Sequence, residues 1–122
     1  MAHVVTNDLI VYIDIDDTLV LWDDKYWEPA KDKIRIVDPI DNSVHYLMPH
    51  KAHIRLLKKF KLSGYTVVVW SHAGYQWAEA VSNALDLMGS VDFIMSKPLK
   101  YIDDLQYGEL GSRIYIKPGE KA

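Results

Sequence analysis

A chain of 122 residues, 49% apolar and 25% charged, has the composition of one globular domain: enough for a sheet with helices, too little for two comfortable cores. Its net charge of −3 gives no general attraction to nucleic acid or acidic membrane, and the absence of cysteine excludes disulfides and thiolate metal sites. Residues 1–8 lack the basic start and apolar stretch of a signal peptide, and Asp14 interrupts the longest apolar run, so a cytoplasmic protein without a membrane partner is expected.

The first predicted element is a strand. Leu9, Ile10, Val11, Tyr12 and Ile13 form a largely β-branched or aromatic run of the kind buried on both faces of a parallel sheet. It ends abruptly in Asp14, Asp16, Asp17 and Thr18, which suits only an exposed carboxyl end, where open α/β sheets keep their chemistry. While the backbone stays extended, Asp14 and Asp16 leave it on the same side. Two converging carboxylates beside a Thr hydroxyl can hold a hard cation and leave one oxygen free as nucleophile.

Residues 21–29 read as a polar-aromatic loop. Alternation over 33–37 and 44–48, with turn formers at 38–43 between, predicts a β-hairpin with a longer loop. After Pro49 a helix is expected over 50–63, with Ile54, Leu57 and Phe60 on one stripe and Gly64 as its stop. A second buried strand over 65–70 leads into Ser71 and His72. A helix follows over 75–88, with Trp77, Val81, Ala84, Leu85 and Met88 at helical spacing. A third strand over 91–95 precedes Ser96, Lys97 and Pro98, and a short fourth over 100–102 ends at Asp103 and Asp104. Residues 105–112 suggest a turn or one helical turn, 113–116 a last strand and 117–122 a frayed tail. Strands alternating with helices in this order imply right-handed crossovers and a mainly parallel sheet.

The pattern Asp14-x-Asp16-x-Thr18 after a hydrophobic strand resembles motif I of the haloacid dehalogenase (HAD) superfamily of phosphohydrolases. Ser71, closing the second strand, is similar to motif II, Lys97 to motif III, and Asp103-Asp104 to motif IV. The four occur in the family's order, each at a predicted strand end. The resemblance implies a single HAD-like catalytic domain over 1–122. Its fold would be an α/β Rossmannoid with a mainly parallel central sheet flanked by helices and a β-hairpin flap, about 21–49, after the first strand. Lys97 has a competitor in Lys100, because the spacing to the acidic pair is slightly compressed.

The resemblance also implies a mechanism. Asp14 would be the nucleophile, forming an aspartyl-phosphate, and Asp16 would protonate the leaving oxygen and then activate water. Mg²⁺ would be held by Asp14, the backbone carbonyl of Asp16, and Asp103 or Asp104. Thr18, Ser71, His72 and Lys97 would contact the phosphorylated substrate. The family's dehalogenases lack the second acid, so Asp16 favours phosphate esters over halides. Asp17 reads as a structural or solvated acid, and His3, His45, His50 and His53 form no ligand spacing.

Little room remains for a substrate-selecting cap, which resembles the capless or minimally capped branch. Such a site suits bulky substrates such as nucleic-acid ends or phosphoproteins, or a homo-oligomer whose second subunit closes it over nucleotides or sugar phosphates. Trp22, Tyr26, Trp27 and Tyr46 could stack on a base or pack the hairpin. Lys51, Arg55, Lys58 and Lys59 form a basic helical face of the kind that is usually solvated. Two rivals to a Mg²⁺-dependent phosphomonoesterase stand beside it: a non-catalytic HAD-fold binding protein and a phosphoprotein phosphatase.

Overall fold

Two small sheets of opposite character share one core. The computed structural model describes residues 1–23, 32–106 and 111–120. In chain order the elements are β1 (Ile10–Asp14), β2 (Val20–Leu21), β3 (Ile34–Val37), β4 (Val44–Pro49), α1 (Lys51–Leu62), β5 (Thr66–Ser71), α2 (Tyr75–Ala84), a 3₁₀ turn (Met88–Ser90) and β6 (Phe93–Ser96). One sheet is parallel in the order β1-β5-β6, and the other antiparallel in the order β2-β4-β3.

This overturns the expected HAD-like Rossmannoid. Its mainly parallel central sheet would need most strands in one ladder, whereas among the described residues they divide evenly between two three-stranded sheets, with two α-helices. Residues 100–102 and 113–116 form no strands. Leu99 (95% exposed) and Ile102 (104%) stand in solvent, and among the described residues no strand pairs with their segment. Nor is the hairpin a flap over a larger sheet. β3 and β4 make most of the second sheet, and Ile36, Leu47 and Met48 are buried in the protein. Its turn is closed by Asp38, whose N–H and C=O bond Ser43 and Asn42, with Asn42 in the left-handed region at φ 62°.

β1 also differs from its expected double burial. β5 takes the centre of the parallel sheet, with Val67, Val68 and Val69 all buried, while β1 lies at the edge with Ile10 and Tyr12 exposed. An apolar run reports a strand; it does not say which strand is central.

The core joins both sheets and both helices: Ile15, Leu19 and Val20 from the turn after β1, Ile36 and Leu47 from the hairpin, Leu57 from α1, Val67 and Val69 from β5, and Trp77, Ala78 and Val81 from α2. α1 is capped by the His50 side chain, which accepts from His53 N–H. α2 begins after Gly74, whose φ of 108° strongly favours glycine. The free N–H of Tyr75 donates to Ser96 Oγ, 2.9 Å away on β6. α2 ends sooner than its apolar spacing predicts, because Asp86 turns left-handed at φ 56° and Leu87 folds back into the core. Among the described residues no helix is long and apolar enough to cross a membrane. Tyr26 and Trp27, much of the turn expected over 105–112 and the end of the tail lie outside the described residues.

Candidate functional site

The residues singled out at the end of β1 sit on a tightly bonded turn. The Ile15 carbonyl accepts from the N–H groups of Thr18, Leu19 and Val20 at 3.2, 2.8 and 3.3 Å, and Asp17 N–H donates to Val20 O at 2.7 Å. Asp17 takes the left-handed conformation at φ 59°, which an aspartate tolerates better than most residues. Ile15, Leu19 and Val20 are wholly buried and anchor the turn. Its curl brings residues four apart together, so Thr18 Oγ1 donates to Asp14 Oδ2 at 2.9 Å.

The other oxygen of Asp14 has a cationic partner. Lys97 Nζ lies 3.0 Å from Asp14 Oδ1, with the two side chains 17% and 33% exposed. Register explains the meeting. Asp14 is opposite Trp70, Ser71 is opposite Ser96, and Lys97 N–H continues the ladder by donating to Ser71 O at 2.9 Å. The lysine reaches back past Trp70, its ammonium 5.9 Å from the ring centroid. Lys97, rather than the exposed Lys100, is therefore the lysine on Asp14.

Asp16 is held differently. β1 ends at Asp14, so strand alternation no longer governs Asp16. Its Oδ1 accepts two indole N–H groups, from Trp22 and from Trp77, each at 2.9 Å. Trp77 lies in the α2 stripe and is buried, and Trp22 is 41% exposed. Their rings are 6.0 Å apart, and His45 on β4 packs its edge against both, at 5.1 and 5.7 Å. Asp17 is structural, its carboxylate accepting Trp22 N–H at 3.1 Å.

The remaining residues scatter more. Ser71 is wholly buried, and its hydroxyl accepts Ala73 N–H at 3.0 Å, shaping the turn into α2. His72 and Lys97 meet in a shallow cleft of about 160 Å³ with Pro98, Leu99 and Tyr101. Asp103 and Asp104 are exposed, and no hydrogen bond or ion pair joins either to Asp14, Asp16 or Lys97 among the described residues. The Leu105 N–H, and after it the Asp104 side chain, hold the Asp103 carboxyl below its ordinary range. Among the described residues no three acid or histidine side chains are grouped so that they could hold a metal ion. Asp14 is engaged by Lys97 through one oxygen and by Thr18 through the other. Lys51, Arg55, Lys58 and Lys59 are exposed, Lys51 pairing with Asp32 at 3.0 Å.

Two groups escaped the sequence reading. Trp77 occupies a core position of its helix, so spacing alone makes it a packing residue and hides its polar end. The second is a histidine pair. His50 and His53 stack at 3.9 Å with rings 11° apart. A carbonyl can only accept and an N–H only donate, which settles their tautomers. His53 Nδ1 donates to Thr18 O (2.7 Å) and its Nε2 accepts from Ile116 N–H (2.8 Å); His50 Nε2 donates to Ile116 O (2.8 Å) and its Nδ1 accepts from His53 N–H (3.4 Å). Both rings are neutral, with all four nitrogens used. The Tyr115 ring lies edge-on at 5.1 Å from His53, and its hydroxyl donates to Asp17 O at 3.3 Å. The pair thus clamps residues 115–116 onto the turn that carries Asp14 and Asp16. Burial, opposed by the Thr18 bond and aided by His50, pushes the His53 pKa below its ordinary 6.5.

No family model, no curated protein and no solved structure matches this chain.

Proposed function

We propose that the protein is a phosphohydrolase acting on a phosphate monoester, with Asp14 as nucleophile and Asp16 as proton donor and acceptor. The observation that carries the reading is the pairing of Asp14 with the Lys97 ammonium at 3.0 Å, beside Thr18, at the carboxyl end of a parallel strand. A carboxylate and a cation so placed meet the main demands of phosphoryl transfer, a positioned nucleophile and compensation of the phosphate's charge. The residue-level resemblance of Asp14-x-Asp16-x-Thr18 to HAD motif I supports the same chemistry.

In the first step an Asp14 oxygen attacks phosphorus as the bond to the ester oxygen breaks. That oxygen keeps the bonding pair and takes the proton from the Asp16 carboxyl, leaving as an alcohol. In the second step water attacks phosphorus and gives its proton to the Asp16 carboxylate. The bond to Asp14 then breaks, which releases phosphate and restores both acids. Lys97 moves from Asp14 towards the phosphoryl oxygens as substrate enters, and His72 lines the adjoining cleft.

A dependence on Mg²⁺ and roles for Ser71, Asp103 and Asp104 belong to the proposal through the motif resemblance alone, and no step above is routed through the ion. Nucleotides, sugar phosphates and polynucleotide ends are the substrate classes to screen first. The closed Asp14–Lys97 pair also supports a second reading, a non-catalytic protein that uses it to bind a ligand. Hydrolysis of an aryl phosphate, with Mg²⁺ and with chelator, tests the first. Activity should fall to background in Asp14→Asn. Activity that survives Asp14→Asn refutes the mechanism, and an inactive wild type across a broad panel of phosphate monoesters leaves the binding reading.

A further inference from the structure

Two indole donors on one carboxylate oxygen are more than packing demands. Trp77 is buried, and a buried indole N–H needs an acceptor, so its bond to Asp16 alone has an ordinary structural explanation. Trp22 has no such need. At 41% exposure water would satisfy its N–H, yet it turns to the same Oδ1. The rings come from separate parts of the chain, Trp77 from α2 and Trp22 from the segment after β2, with His45 of β4 wedged against both. Among the described residues no hydrogen bond reaches the other oxygen of Asp16, Oδ2.

We infer that Trp22 and Trp77 are positioning residues for Asp16, fixing its carboxylate through Oδ1 so that Oδ2 exchanges the proton with the leaving oxygen and then with water. This rests on the phosphohydrolase reading. Indole donates only and carries no charge, so it orients the carboxylate without placing a cation on it, unlike Lys97 on Asp14. During ester cleavage the Oδ2–H bond breaks as the new O–H bond forms on the departing alkoxide, while Oδ1 keeps both indole bonds. The two acids are thus divided by their partners.

The inference is tested with Trp22→Phe and Trp77→Phe on esters whose leaving groups run from a nitrophenol to a simple alcohol. A nitrophenolate departs without a proton and an alkoxide does not. Each variant should lower kcat/KM, which reports only the steps up to release of the alcohol, about 10-fold on the alkyl ester, part of what general acid–base catalysis supplies, and less than about 2-fold on the nitrophenyl ester. In an Asp16→Asn background the Phe substitutions should add little, because they act through the same carboxylate. An equal loss on every ester, or losses that add in full to that of Asp16→Asn, overturns the inference and leaves packing as the role. Trp22 is exposed, so its variant stays informative if Trp77→Phe fails to fold. The indole N–H resonances of the wild type give a readout free of turnover. Of the four tryptophans, those of Trp22 and Trp77 should move on Asp16→Asn, and no movement of either overturns the contact. A wild type inactive on every ester defeats the phosphohydrolase reading and takes this inference with it. An active wild type with equal losses defeats the inference alone.

Discussion

The turn after β1 and the segment after β6 leave the carboxyl edge of the same parallel sheet, yet one is built and the other is not. In the first, Ile15, Leu19 and Val20 are buried, one carbonyl collects three N–H groups, and α1 closes over it through His50 N–H to Leu19 O and His53 to Thr18 O. In the second, Lys97 is tied by its backbone to Ser71 and by its ammonium to Asp14. Beyond it Leu99, Tyr101, Ile102 and Leu105 are exposed. Both segments end in paired acids. The difference teaches that acids at a strand end become a site only where apolar neighbours anchor the turn that carries them.

The most severe way to break that contrast is to remove the anchor. Leu19→Ala should cost about 2–5 kcal/mol of stability, as a buried leucine truncated in a packed core does, whereas Ile102→Ala should change stability by less than about 0.5 kcal/mol. Urea unfolding of both variants measures it, and similar losses would erase the distinction. A smaller effect comes from pH. His53 is neutral in the folded protein with its pKa depressed, and the groups facing it are His50, Tyr115, Thr18 O and the Ile116 backbone. The unfolded chain therefore takes up a proton near the ordinary pKa of 6.5 that the folded one refuses. Stability from the clamp is complete above that pH and declines as pH falls towards the folded pKa. Asp92 titrates in a separate window. The Lys61 side chain and Val67 N–H hold it below 3.8, so its contribution is lost only in stronger acid. Denaturation between pH 7 and 5 should show the decline in the wild type and a flatter profile in His53→Leu. The smallest expected effect is that of Asp103→Asn, whose exposed carboxylate accepts Leu105 N–H beside it, and which should leave the urea unfolding midpoint where it is in the wild type. Complete loss of the proposed phosphatase activity in this variant would mean that the segment after β6 joins the turn when substrate binds, which redraws the comparison.

Much of the local structure was legible in the chain. The strand before Asp14, the 33–48 hairpin and both helices follow from periodicity and turn residues, because each needs only neighbours a few positions away. Fold class was not. The apolar runs at 9–13 and 65–70 look alike as sequence, but one became a sheet edge and the other its centre. Residues 101 and 102 are good strand formers, yet they lie in no strand among the described residues. At the site, Asp14 beside the Thr18 hydroxyl was legible in the acid run after the strand, and Lys97 as the cation that the motif resemblance implies. The indoles on Asp16 were not, since Trp77 satisfies the helical stripe and bonds Asp16 across 61 residues.

Sequence by itself therefore determined the sharp change from apolar strand to acids at Asp14, because a long β-branched run favours extension and an Asp-rich one favours a turn. Tertiary structure alone decided the partners: a lysine for Asp14, two tryptophans for Asp16, a histidine pair for residues 115–116 and, among the described residues, nothing comparable for Asp103 and Asp104. Those contacts join residues far apart in the chain, and their geometry depends on how two sheets share one core, which no local pattern encodes.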